Sequence, residues 1–254
     1  MSHETMPVIT THSLHPGHKL KLETRKALFM CDGCKELGIS SCWTCAESCN
    51  FHLHPHCFDP KISLQHKLFP KCSFKWVESG LEDKGKPREQ SCDACNLGAK
   101  GYFYHCNDCG KDLHPSCANL PQFLSDGELK LELKNKMPTE CEKCGWKNQD
   151  IYWRYVSTCK TVALHISCMK DLLLKNWMKK EGSSQGSAVE DGGNESVRRT
   201  PELGIVIGEK EKKKPAKMEK MKKMFQLVVP IILSVAVGDP VSLTASLIAS
   251  LLSG

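Results

Sequence analysis

One pattern, used three times, limits what this chain can become: a Cys-x2-Cys pair opens, and a His-x2-Cys pair closes, each of three segments. The openings are Cys31/Cys34, Cys92/Cys95 and Cys141/Cys144; the closings are His54/Cys57, His114/Cys117 and His165/Cys168. Self-similarity at a period of about 50 to 60 residues is the signature of an array of small domains. The 254-residue chain holds 16 cysteines and 11 histidines but only 7% aromatic residues, too few for one large conventional core. Small units stapled by something stronger than their own apolar contacts are expected.

The staple is disulfide or metal. Met1 to Leu20 is polar and rich in histidine, without the apolar stretch of a secretory signal. A reducing setting follows as the expectation, cytoplasmic and/or nuclear, where clustered cysteines interleaved with histidines indicate metal, and disulfides are the alternative. Zinc takes four ligands in a tetrahedron of thiolate and imidazole, and Cys-x2-Cys lets one tight turn present two sulfurs to one ion. Joining each opening to its closing gives three complete Cys3His sets: Cys31, Cys34, His54, Cys57; Cys92, Cys95, His114, Cys117; and Cys141, Cys144, His165, Cys168.

Between opening and closing stand Cys45 and Cys49 in the first segment, Cys106 and Cys109 in the second, and Cys159 alone in the third. The aromatic runs Tyr102–His105 and Tyr152–Val156, just ahead of these cysteines, predict short strands that deliver ligands. Met169 to Lys180 carries Leu172, Leu173 and Trp177 at helical spacing and predicts a short closing helix.

The run His18-x12-Cys31-x2-Cys34-x10-Cys45-x3-Cys49-x4-His54-x2-Cys57 resembles the C1 zinc domain and, more closely, its plant-enriched divergent relative, the DC1 domain. The resemblance extends over about residues 12 to 180. It implies two interleaved zincs per module: beside each Cys3His set, an upstream histidine joins the central cysteine pair and a late ligand. In the first module that second set would be His18, Cys45, Cys49 and His66. In the second, Cys72 replaces the histidine beside Cys106 and Cys109, with no evident late ligand. The third would hold one zinc at most. The implied fold is a tandem of small zinc-stabilised α+β modules, each with short antiparallel strands and a short helix, carrying three to five Zn2+ per chain. Module one covers 12–65, module two 66–125 and a degenerate module three 126–180. A competing cross-brace of the PHD-finger type would instead pair Cys141/Cys144 with Cys106/Cys109, but it orphans His165 and Cys168.

Other residues carry plainer readings. His3, His12, His15, His52 and His56 are taken as polar surface histidines, and His105 as facing away from the ligands, since neighbours on a strand alternate. Cys42 is a spare thiol, and Cys159 serves equally as buried filler or ligand. Trp43, Trp76 and Trp153 belong to small cores.

Past the modules, 181–208 is a flexible linker of Gly, Ser and charge, 209–223 a lysine-rich segment and 225–254 an apolar tail. The net charge of +6 sits almost wholly in the lysine-rich segment, so the modules show no broad attraction for phosphate and a nucleic-acid partner is not favoured. Asp239-Pro240 divides the tail into halves each shorter than the ~20 residues of a spanning helix. Peripheral membrane contact through 209–254, self-association, or packing onto the modules are the roles left to it.

Sets closed by four protein ligands leave no position for an activated water, and no hydrolase, phosphate-loop or deaminase motif is present. The expectation is a non-enzymatic interaction protein with a protein partner, which the resemblance would place in plant signalling or stress response. A C1-type lipid or membrane sensor is the first alternative; the loop Glu36-Leu37-Gly38-Ile39-Ser40-Ser41 lacks the Gln-Gly of lipid-binding members. A PHD- or RING-like chromatin or ubiquitin adaptor is the second.

Overall fold

A computed structural model of the chain describes residues 9–78, 90–125, 127–136, 139–146 and 152–184, together with 223, 224, 227 and 228. It consists of three four-stranded antiparallel meanders. The first sheet is β1 (Ile9–Thr10), β2 (Leu20–Met30), β3 (Leu37–Cys45) and β4 (His52–Leu53). The second is β5 (Ser63–His66), β6 (Phe69–Val77), β7 (Phe103–Cys106) and β8 (Lys111–Leu113), and the third β9 (Phe123–Ser125), β10 (Lys130–Lys134), β11 (Arg154–Ser157) and β12 (Ala163–His165). Each meander runs into a helix: α1 (Pro55–Phe58), α2 (Pro115–Ala118) and α3 (Ile166–Ser184). These are the small zinc-module elements expected from sequence.

Two boundaries move. β5 pairs with β6, and β9 with β10, so residues 63–65 and 123–125 belong to the sheet that follows them rather than to the preceding module. The closing helix also begins earlier than Met169 and continues to Ser184, into the segment assigned to the linker. Its first turns are anchored by the buried Ile166, Met169 and Leu173, and once nucleated a helix extends at one hydrogen bond per added residue.

The modules are not beads on a string. Tyr102, at the entrance to β7, donates its N–H to Gly33 O of the first module at 2.9 Å; Trp153, at the entrance to β11, donates to Ala94 O of the second at 2.7 Å. In both cases the acceptor sits inside the previous module's Cys-x2-Cys turn. The approach is so close that a Cβ on Gly101 would lie 2.1 Å from Gly33 O, which only glycine avoids. One apolar cluster spans modules two and three, joining Phe74, Tyr104 and Leu113 to Leu131, Trp153 and Leu164, and reaches Ile39 of module one. A smaller cluster around Leu20, Trp43, Leu53 and Tyr102 serves module one. Of the five tryptophans, Trp43, Trp76 and Trp153 sit in or against these cores.

At the centre of the junction lies a buried polar knot. Glu36 of module one accepts from Ser116 Oγ at 2.8 Å and Ser116 N at 3.3 Å in module two, and from Lys170 Nζ of α3 at 2.5 Å. Burial opposes both charges, yet the Lys170 ammonium holds the Glu36 carboxyl below its ordinary range, and Cys117 and Glu36 hold Lys170 well above its own.

Met224, between the lysine-rich segment and the apolar tail, and Val228 of the tail are fully buried in the larger core, and Lys223 pairs with Glu128. Apart from these and Leu227, the lysine-rich segment, the tail and its Asp239-Pro240 break lie outside the described residues, as does the linker after Ser184. Among the described residues no helix is long and apolar enough to cross a membrane.

Candidate metal centres

Each Cys3His set is assembled by the same local devices. The Cys-x2-Cys turn follows the long central strand or its equivalent, and the residue after the second cysteine takes a left-handed conformation: Lys35 at φ 58°, Asn96 at φ 59° and Gly145 at φ 71°. That curl lets the first cysteine's N–H bond back across the turn, Cys31 to Glu36 O at 3.0 Å and Cys92 to Leu97 O at 3.0 Å. On the other side, His54 and His114 cap the short helices, Pro55 and Pro115 occupy the first helical position, and Cys57 and Cys117 stand one turn on. One helical turn thus brings the histidine and cysteine of His-x2-Cys to the same ion.

The structure brings all three sets together, each with its ligand atoms within 4.8 Å of one another. In the first, Cys34 Sγ lies 3.3 Å and Cys57 Sγ 3.9 Å from His54 Nδ1. In the second, Cys95 Sγ lies 3.4 Å from His114 Nδ1. In the third, Cys144 Sγ and Cys168 Sγ lie 3.4 Å and 3.9 Å from His165 Nδ1, and Cys141 Sγ lies 3.8 Å from Cys168 Sγ. A tetrahedral zinc with Zn–S of about 2.3 Å and Zn–N of about 2.05 Å has S···S edges of about 3.8 Å and S···N edges of about 3.5 Å. The observed spacings match that figure.

Charge makes the same demand. Burial works against ionising Cys31, but hydrogen bonds from Cys34 and Cys57 and the nearby His54 hold it well below the ordinary thiol range, while Cys34 and Cys57 are driven well above it. The second set divides likewise, Cys117 low and Cys92 high. The third holds Cys141 at about 3, chiefly through its hydrogen bond with Cys168. Three buried sulfurs can all ionise together only around a cation, and zinc supplies one. One imidazole is held for it by a second hydrogen bond: His114 Nε2 donates to Gly98 O at 3.2 Å, which leaves Nδ1 free to ligate, whereas His54 Nε2 and His165 Nε2 are buried without such a partner. Lys170 Nζ reaches Cys117 Sγ at 3.2 Å, countering the negative charge of a three-thiolate centre.

Gly38 sets the space for His54. A Cβ there would lie 2.2 Å from His54 Nε2 and 2.6 Å from Phe29 Cζ, whereas one on Gly98 meets only Gln90 O at 4.0 Å. Gly38→Ala should therefore lower zinc affinity at the first centre by on the order of 10–100-fold. Gly98→Ala should leave the second unchanged; competition with a chromogenic chelator measures both.

A fourth tetrad differs from its expected composition. His18, Cys45 and Cys49 come together, with His18 Nδ1 3.0 Å from Cys49 Sγ and 3.6 Å from Cys45 Sγ, but the fourth member is His15, not His66. His66 ends β5 in the second sheet, where its ring stacks on Trp153 at 4.2 Å and its Nδ1 accepts from Leu68 N at 3.1 Å. The strand pairing carries it away from module one. His15, read from sequence as a surface residue, stacks on Phe51 at 4.4 Å and keeps Nε2 buried without a hydrogen-bond partner. The available signal was His15-x2-His18, a second ligand pair on one turn. His18 Nε2 also faces Glu47 at 3.5 Å, the carboxylate–histidine relation typical of metal ligands.

In module two, Cys72, Cys106 and Cys109 converge without a fourth donor among the described residues. Among the described residues module three has no second cluster, and strand register shows why. Leu131 pairs with Ser157 as Leu20 pairs with Cys45, so Ser157 stands in the cysteine's place and Leu129 in that of His18. Ser157 Oγ accepts from Thr161 N and Val162 N, both at 3.2 Å, and holds its turn closed without metal. Cys159 is exposed rather than buried filler, and joins no ligand cluster. Cys42 is buried and joins none either; desolvation pushes its thiol up to about 11. His105 turns to Asp112 at 2.7 Å. All sixteen cysteines are free of disulfides, and Cys141/Cys144 meet His165/Cys168 rather than Cys106/Cys109, so the cross-brace does not form. The chain therefore carries sites for several zinc ions.

Residues 13–58 match the family model of the C1 domain. No curated protein and no solved structure matches the chain.

Proposed function

From the premise that residues 13–58 form a C1 domain, we propose that this protein is a non-catalytic interaction scaffold whose zinc ions are structural and whose partner is another protein. The closed tetrads support the absence of catalysis: four protein donors around each of four centres leave no position for an activated water. Cys42, raised by burial, is a poor candidate for a nucleophile.

The observation that carries the choice of a protein over a lipid is the fate of the loop beginning at Glu36. In lipid-reading relatives that edge must reach a bilayer. Here Glu36 is tied to Ser116 and Lys170, and Ile39 is 1% exposed within the core shared with module two. That engagement between modules supports a protein partner over a lipid. Among the large apolar side chains left in solvent, beside aliphatic ones such as Ile62 at 83%, are two aromatic ones, Phe123 at 64% and Trp146 at 57%, and aromatic side chains are the usual anchors of protein interfaces. The free, metal-grouped cysteines favour the cytoplasm or nucleus, and a role in signalling or stress response would match the plant proteins whose motifs the chain resembles. The adaptor and chromatin readings lose support with the cross-brace.

Two measurements on the full chain test this. Flotation with phosphatidylcholine–phosphatidylserine vesicles should show no increase when diacylglycerol is added; a diacylglycerol-dependent gain would replace the protein reading with the lipid one. Affinity capture should recover a partner whose retention falls in a Phe123→Ser/Trp146→Ser double variant that keeps its zinc content.

A further inference from the structure

We propose that Cys72, Cys106 and Cys109 form a fifth metal site whose fourth coordination position is open and takes a thiolate from outside the chain. This rests on the zinc reading of the other centres and goes beyond it, because those have four protein donors and this one has three among the described residues.

Comparison of the first two sheets shows how the site was opened. β2 and β3 place Leu20 opposite Cys45, with His18 two residues earlier. β6 and β7 pair Lys75 with His105 and Trp76 with Tyr104; continued by one step, that register places Phe74 opposite Cys106 and Cys72 in the position of His18. Cys109 follows in the position of Cys49. The missing member is the counterpart of His15, and the reason lies in the connection. β1 and β2 are joined by Thr11–Lys19, long enough to fold His15 back over the cysteines, whereas β5 and β6 are joined by only Lys67 and Leu68. A turn that short cannot return a side chain to the metal.

The three sulfurs are nonetheless built as a site. Cys72 lies on β6 and Cys106 ends β7, both buried, and Cys109 follows on the turn, with the three sulfurs within 4.8 Å of one another. Thiols brought this close and kept from water on one side invite a cation. Cys109 is exposed, so the open corner of the tetrahedron faces solvent. His105, the nearest histidine in sequence, is committed to Asp112 on the other side of the strand. The Lys111 ammonium, paired with Asp93 at 2.9 Å and 5.0 Å above the Phe69 ring, follows Cys109 by two residues and favours an anionic donor at that corner. Zinc with three thiolates and an exchangeable fourth ligand is the resulting chemistry. A small-molecule thiol and a cysteine of a bound protein offer the same donor.

The test uses the full chain, stripped of metal, reduced with a phosphine under anaerobic conditions and titrated with Co2+. Four equivalents should bind with ligand-field spectra indifferent to added 2-mercaptoethanol, matching the four tetrads, and a fifth should bind with thiolate charge transfer and bands that shift when the thiol is added. Cys109→Ser, at an exposed position, should lose the fifth equivalent and the thiol response while keeping the other four. Saturation at four, a fifth equivalent indifferent to thiol, a response to imidazole in its place, or a thiol response that survives in Cys109→Ser would each overturn the proposal. Fewer than four equivalents would overturn the zinc reading as well, so the two failures are distinguishable. A cysteine peptide in place of 2-mercaptoethanol separates the protein source of the donor from the small-molecule one.

Discussion

Cys92→Ala is expected to unfold modules two and three together while module one keeps its structure. Cys92, Cys95 and Cys117 are each 0% exposed and belong to the apolar cluster that spans both later modules, whereas Cys31, Cys34 and Cys57 belong to the smaller cluster of module one. A structural zinc contributes about 10–16 kcal/mol of apparent binding free energy, which is folding free energy where no site preexists. Domains of this size have a net stability of only about 5–15 kcal/mol, so removing one ligand from the central set exceeds what the shared core can hold. Hydrogen exchange should show protection lost in β5 to β8 and β9 to β12 alike, with β2 and β3 retained. Loss confined to the turns around Cys92 and Cys117 would show that the modules fold independently.

Glu36→Ala should destabilise the chain by about 3 kcal/mol, the low end of the cost of removing one partner of a buried ion pair, because Lys170 keeps the Cys117 sulfur beside it. The charge left behind is Lys170, which would retain only Ser116 Oγ at 2.7 Å and Cys117 Sγ at 3.2 Å. Replacing both charges, Glu36→Leu with Lys170→Met, should recover much of the loss, since an apolar pair of similar volume carries no desolvation cost. Urea midpoints of the single and double variants at fixed zinc decide this. A cost below about 1 kcal/mol for Glu36→Ala would mean the knot is peripheral to stability.

Legibility from sequence followed the range of the forces involved. The Cys3His sets could be read because a metal turn and one helical turn are local devices with fixed spacing. The structure places Cys31/Cys34 with His54/Cys57, and the corresponding pairs of the other two modules, as spacing suggests. The second-site partners were harder. His66 lies nine residues past Cys57 and fits a linear pattern, but β-pairing takes it into the next sheet. His15 looked like surface because nothing in a linear reading shows that the loop before β2 folds over Cys45 and Cys49. Glu36 and Lys170, 134 residues apart, left no trace.

By itself, then, the sequence determined that the chain is a tandem of small metal-stapled modules, because cysteine and histidine at turn and helix spacing meet within a few residues of each other whatever the rest does. Only the tertiary structure decided which donors meet at each second centre, and that the modules share a core and a buried ion pair. Those outcomes depend on strand register and on the length of one connection relative to another. Both are set by pairing and burial between distant segments, where a two-residue turn in place of a longer loop removes a ligand without disturbing the surrounding pattern.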